Sequence, residues 1–163
     1  MDQRLKNGII ARLAQEHGYV RRPPGGRTRF ALVYPNTYFV GMSNLGLHII
    51  YDLLNRRGDT ACERVFLPDR TELPRYERTQ TPMMSVETQT PLSCFAVIGF
   101  AVSFEPDYFH VVKMLSLSRV QIRAAERGDR DPLVIAGGPC ATFNPEPLAA
   151  VVDAFIIGEG EET

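Results

Sequence analysis

Four short segments carry the residue types that could hold a ligand: Pro35 to Ser43, Ser103 to Asp107, Gly137 to Thr142 and Gly158 to Glu162. Each follows an apolar run and is rich in Gly, Ser, Thr, Asn or Glu. Glycine lets a backbone approach a bound molecule closely and present its N–H to polar atoms. Other chemistries are poorly served. Glu105 and Asp107 could form a carboxylate pair for acid–base work, but Asp107 opens a helix and is expected to act as its cap. His17, His48 and His110 lie far apart in helical segments, and each is expected to be a partly exposed helix residue. No GxGxxG, GxxxxGK[ST], GxSxG or HExxH occurs, which excludes the usual dinucleotide, P-loop, hydrolase-elbow and zinc-protease signatures. Cys62, Cys94 and Cys140 form no CxxC pair, so neither a disulfide framework nor a zinc knuckle is indicated; each is expected as a small apolar residue in or beside a strand.

The elements that must position these segments can be read from hydrophobic patterning. Phe30–Tyr34, Arg64–Leu67, Ala96–Val102, Leu133–Ala136 and Ala154–Ile157 are short apolar runs that read as strands, with Met83–Val86 a short edge strand. Helices fall between them. Ser43 or Asn44 caps one whose face is Leu45, Ile49, Ile50, Leu53 and Leu54, ending at Gly58. Asp107 starts another through Tyr108, Val111, Val112 and Leu115. Asn144 as cap and Pro145 at the first position start a third, which packs Leu148 and Val151. Strands that are apolar throughout and alternate with helices require a mostly parallel, five-stranded sheet covered on both faces. A doubly wound α/β domain follows, in which ligands bind beyond the carboxyl ends of the strands, where all four segments converge.

Ahead of this domain, Leu5, Ile9 and Leu13 form the stripe of a short amphipathic helix closed by Gly18. Arg21–Arg29 then places four arginines among two prolines and two glycines, a connector expected to be a solvated linker, with a phosphate or RNA as the alternative it could hold. The division expected is residues 1–29 for helix and linker and 30–163 for the α/β domain.

A chain of 163 residues, 44% apolar and 23% charged, suits one folded domain. A net charge of −1 argues against a strongly basic nucleic-acid binder. No apolar run approaches the roughly 20 residues of a membrane helix, and Met1-Asp2-Gln3-Arg4 does not open like a signal peptide, so a cytoplasmic protein is expected.

At the four segments the sequence resembles the N-terminal cobalamin-binding-type domain of radical SAM proteins. The resemblance rests on Tyr34-Pro35-Asn36-Thr37-Tyr38 through Gly41-Met42-Ser43-Asn44-Leu45-Gly46, on Cys62–Pro68, on Gly137-Gly138-Pro139-Cys140-Ala141-Thr142 and on Gly158-Glu159-Gly160-Glu161-Glu162. It implies a flavodoxin-like, Rossmann-like fold holding cobalamin on Asn36, Thr37, Tyr38, Gly41, Met42, Ser43, Ser103, Glu105, Gly137, Gly138, Pro139, Thr142, Gly158, Glu159 and Gly160. The family's related cobalamin enzymes carry DxHxxG after the first strand. Here Tyr38 stands at the histidine position, so cobalamin is expected without a protein histidine on the metal. Glu105 likewise stands where those enzymes have a leucine.

The resemblance also implies a partner. Radical SAM chemistry needs a 4Fe–4S cluster on CxxxCxxC to bind S-adenosylmethionine, and this chain has no such motif. Cluster and S-adenosylmethionine are therefore expected in a C-terminal catalytic domain of the parent protein, with this part alone inactive. Gly138→Val is expected to abolish corrinoid retention and leave the fold intact. The alternative is an interaction domain that kept the fold, lost the corrinoid and presents an RNA or protein substrate.

Overall fold

The computed structural model describes residues 1–158 and residue 160. Five strands form one wholly parallel sheet in the order β2-β1-β3-β4-β5. They are β1 (Thr28–Thr37), β2 (Thr60–Leu67), β3 (Val97–Ala101), β4 (Leu133–Gly137) and β5 (Ala154–Phe155). This is the flavodoxin-like doubly wound order, and it arises because the strands are apolar on both sides and need cover on both faces. β1 continues through Pro35, beyond the stop expected there. Its register with β2 breaks between Tyr34 and Thr37, which accommodates a residue that cannot donate to the ladder. β2 begins before Arg64, and all eight of its residues are buried, Glu63 and Arg64 included.

The helices are α1 (Gln3–Leu13), α2 (Tyr38–Met42), α3 (Leu45–Arg56), α4 (Leu73–Thr79), α5 (Asp107–Leu117) and α6 (Pro139–Phe143). Right-handed crossovers leaving β1 and β3 in opposite directions place α3 on one face of the sheet and α5 on the other. Leu5, Ile9 and Leu13 of α1 are buried in the same core as the sheet.

Three expectations about the helices change. α3 is capped by Asn44, whose Oδ1 accepts the Leu47 N–H at 2.9 Å, but it buries Leu47, Tyr51 and Asn55, leaving Leu45 and Leu53 exposed. The buried stripe includes two polar residues because both find internal partners. The Tyr51 hydroxyl serves Val20, and the Asn55 amide holds both the N–H and the carbonyl of Cys62. The helix expected from Asn144 is only a 3-10 turn, Glu146–Leu148, because the chain is back at the sheet by Asp153, whose N–H reaches the Val134 carbonyl. Leu148 and Val151 are nevertheless buried. The helix there starts earlier, with Pro139 in its first turn.

Met83–Val86 is not a strand either. It makes one isolated bridge, Met84 with Pro91, and the Val86 N–H caps the Arg64 carbonyl, so this segment covers the otherwise bare edge of β2. Of the cysteines, Cys62 is buried in β2 and Cys140 in α6, while Cys94 is exposed in a 3-10 turn, contrary to the apolar role expected for it. No described helix is long and apolar enough to cross a membrane.

Candidate functional site

In this strand order the chain leaves β1 toward β2 and leaves β3 toward β4, so the carboxyl ends of β1 and β3 flank the switch point where doubly wound folds bind ligands. A polar cluster stands there. Asn36 donates through Nδ2 to Asp107 Oδ1 at 3.1 Å and accepts the Thr37 N–H through its own Oδ1 at 2.8 Å. His110 Nδ1 lies 2.8 Å from the Pro35 carbonyl and 3.0 Å from Asp107 Oδ1. Both neighbours are acceptors, so Nδ1 carries the proton and Nε2 is left as the second ring nitrogen of a carboxylate-oriented imidazole.

Asp107 is therefore no helix cap: Pro106 occupies that position, and the carboxylate makes no capping bond. Its side chain is 1% exposed and its Oδ2 has no partner. Burial pushes its pKa above the ordinary carboxylate value, against the pull of the bonds from His110 and Asn36. Ser103 joins the other side of the switch point, its Oγ 3.4 Å from Asn44 Nδ2. Glu105 is exposed at the same end.

The glycines do different work from that expected. Gly138 has φ of 97°, and a Cβ there would come within 2.8 Å of the Val102 carbonyl oxygen. A Cβ on Gly137 would meet Ile156 at 3.5 Å, and one on Gly41 would collide with the Phe66 ring. Gly41 and Gly138 are thus required by the packing itself, whereas Gly137 would make only an ordinary contact. Gly138→Val, expected to spare the fold, instead clashes with the end of β3. Pro139 is exposed at the start of α6. Thr142 Oγ1 accepts the Gly158 N–H at 3.1 Å, tying α6 to the end of β5. Gly160 lies against Ile50 of α3, and Glu159 falls outside the described residues.

Tyr38, Met42 and Ser43 are not gathered with Asn36. Ser43 donates to the Phe39 carbonyl at 2.8 Å. Tyr38 gives its hydroxyl to Glu16 Oε1 at 2.8 Å and packs its ring edge-on against Phe66. Burial, and then Glu16, push its phenol up to about 12. Glu16 in turn accepts Arg64 Nη2 at 2.7 Å, Met42 Sδ accepts Arg64 Nη1 at 3.1 Å, and Glu87 takes Arg64 Nε at 2.6 Å. The Arg64 guanidinium lies 4.7 Å from the centre of the Tyr51 ring. Tyr38 thus belongs to a buried ion network that joins α1 to the edge of β2.

The carboxyl edge of the sheet shows one feature that residue types alone do not announce. Phe39, Val40, Leu45, Phe104, Phe109, Phe143 and Ile157 all follow strand ends, and all are exposed, Phe109 to 81% and Phe143 to 87%. Among the described residues, seven of the twelve large exposed apolar side chains therefore lie at one end of the sheet, a concentration of the kind found at interaction surfaces. The signal in the sequence is a large apolar residue placed beyond the first, third and fourth apolar runs instead of within them, as Phe39, Phe104 and Phe143 are. Among the described residues no group of three or more His, Cys, Asp or Glu could hold a metal ion.

The fold defines a flavodoxin-like α/β domain with its candidate site at the switch-point end of the sheet. The chain belongs to the family described as the N-terminal region of radical SAM proteins, which matches residues 46–163, more than two thirds of its length. It is also similar to the uncharacterized protein MJ0966 of Methanocaldococcus jannaschii, 28% identical over 131 residues, which cover 80% of this chain and 24% of that protein. The chain spans about a quarter of that relative's length. No solved structure matches it.

Proposed function

We propose that this domain is the docking module of a radical SAM protein, seating the carboxyl edge of its sheet on the catalytic region of the same protein. The observation that carries this reading is the concentration of seven exposed apolar side chains on that one edge. The family match supports the partner, since the iron–sulfur cluster and S-adenosylmethionine would both belong to that catalytic region. Burying Phe39, Phe104, Phe109 and Phe143 against it supplies the apolar area that holds two domains in register.

Hydrogen exchange tests the proposal in the full-length protein, with this domain alone as the reference. The segments 38–46, 103–110 and 139–143 are expected to exchange more slowly in the longer protein. Equal exchange of those segments in both forms would sink the docking reading. The corrinoid implied by the resemblance would lie over the same rim. Titration with hydroxocobalamin, followed by visible spectrum and co-elution, reports on that separately. Corrinoid that stays in the small-molecule fraction at tens of micromolar protein removes cobalamin from the function of the isolated domain.

A further inference from the structure

The docking reading does not use the arginine-bearing segment before β1, which is solvated but tied down near both ends. Both main-chain groups of Val20 are held by the Tyr51 hydroxyl, N–H at 2.9 Å and C=O at 3.0 Å. The chain then turns through Pro24–Arg27, with the Arg27 N–H on the Pro24 carbonyl at 3.0 Å and Gly26 at φ of 72°. Arg27 Nη1 clasps the Pro23 carbonyl at 3.0 Å. The result is an ordered strap at the amino edge of the sheet, the end opposite the apolar rim.

This strap is cationic and unneutralised. No Asp or Glu occurs between Glu16 and Asp52, and among the described residues Arg21, Arg22 and Arg27 have no carboxylate within salt-bridge distance. The nearest acids along the chain beyond them are occupied: Asp52 by Arg56 and Asp59 by Arg57. Among the described residues, three of the five buried side-chain polar atoms without a partner are guanidinium nitrogens of this stretch, Nε of Arg22, Arg27 and Arg29. Arg29 itself is committed inward, to Thr90 and over the Phe95 ring. Beside the free arginines Tyr19 is exposed.

We propose that the strap from Tyr19 to Arg27 binds single-stranded RNA, with Arg21, Arg22 and Arg27 on successive phosphates and Tyr19 stacked on a base. The chemistry suits it, since guanidinium groups pair with phosphate oxygens and an aromatic face accepts any unpaired base. A single strand fits better than a duplex because the strap offers neither a helix nor a ribbon to enter a groove. The proposal stands apart from the docking reading and rests on the opposite edge of the sheet.

The test measures fluorescence anisotropy of a labelled 12-nucleotide single-stranded RNA against the full-length protein over a range of salt concentrations. Saturable binding is expected, with the slope of log affinity against log salt falling by about 0.7 for each of Arg21→Gln, Arg22→Gln and Arg27→Gln. Tyr19→Ala leaves the charge and the strap's hydrogen bonds in place. It is expected to lower affinity about tenfold at unchanged slope. No saturable binding, or a slope that the three arginine changes together leave intact, overturns the proposal. So does equal or tighter binding of a duplex of the same sequence, or preference for phosphatidylserine vesicles over RNA.

Discussion

Glu87 grips Arg64 at two points, accepting its main-chain N–H through Oε2 at 2.8 Å and its side-chain Nε through Oε1 at 2.6 Å. The first bond replaces the neighbour that an edge strand lacks. The second holds a guanidinium that is 2% exposed. One carboxylate therefore satisfies both the backbone and the side chain of the same residue, and burial raises its pKa above the usual range even so. Glu16 completes the ring of partners from the end of α1.

Arg64→Met leaves two buried carboxylates facing an apolar side chain. Loss of one partner from a buried ion pair costs about 3–5 kcal/mol, and that much loss of unfolding free energy in urea is expected. Glu87→Gln keeps an acceptor for the Arg64 N–H and is expected to cost less. A change below about 1 kcal/mol for Arg64→Met would show that the network tolerates a missing cation, and would refute its place as the anchor of α1.

The strands were legible because continuous apolar runs such as Ala96–Val102 have few alternatives to a buried parallel strand. The four segments at their carboxyl ends were legible for the same reason. What escaped was the orientation of polar residues. Tyr51 and Asn55 fall outside the apolar face that the pattern assigned to their helix, yet they are buried because Val20 and Cys62 satisfy them. Asp107 read as a cap because helix starts favour Asp, while its carboxylate turns to Asn36 and His110, the first of them 71 residues away in sequence. Tyr38 sits at a spacing shared with a metal ligand, but Glu16 and Phe66 fix where it points. Apolar pattern follows from local sequence; which polar group meets which is decided only by the closed fold.

Asp107→Asn is expected to stabilise the protein at neutral pH. The amide oxygen can accept from Asn36 and His110 as before, and the substitution removes a negative charge whose burial is unfavourable. Set against an NH2 that still lacks a partner, the expected gain is about 1 kcal/mol. The sign with pH follows from the raised pKa. A carboxyl that binds its proton more tightly when folded contributes stability below its unfolded value of 3.8, and that contribution is lost as pH rises through the folded value. The advantage of Asp107→Asn should therefore be small at pH 3.5 and grow toward pH 7. Urea unfolding at several pH values checks this, and an advantage that shrinks with rising pH would contradict it.

Gly138→Ala is expected to destabilise by about 2 kcal/mol or more, from strain at positive φ together with the contact to the Val102 carbonyl. Gly128→Ala is the control, since nothing lies within 4 Å of a Cβ there and its φ is unremarkable. Thermal melts of the two variants should separate clearly. If they coincide, Gly138 is not the packing residue described.

Tyr38→Phe separates the buried-network role of this residue from any part in holding a corrinoid. Removing the hydroxyl takes a hydrogen bond from Glu16 at a half-buried position, a loss of about 1 kcal/mol at pH 7. The phenol's pKa is raised from 10.0 to about 12, so the folded state favours its neutral form. That contribution is present below pH 10 and lost as pH climbs toward 12, so wild type and Tyr38→Phe should converge over that interval. Measured against hydroxocobalamin, the variant should leave the visible spectrum of the mixture unchanged, because the hydroxyl is already committed to Glu16. A spectral change on removing that one oxygen would place Tyr38 at the metal and reverse its assignment to the network.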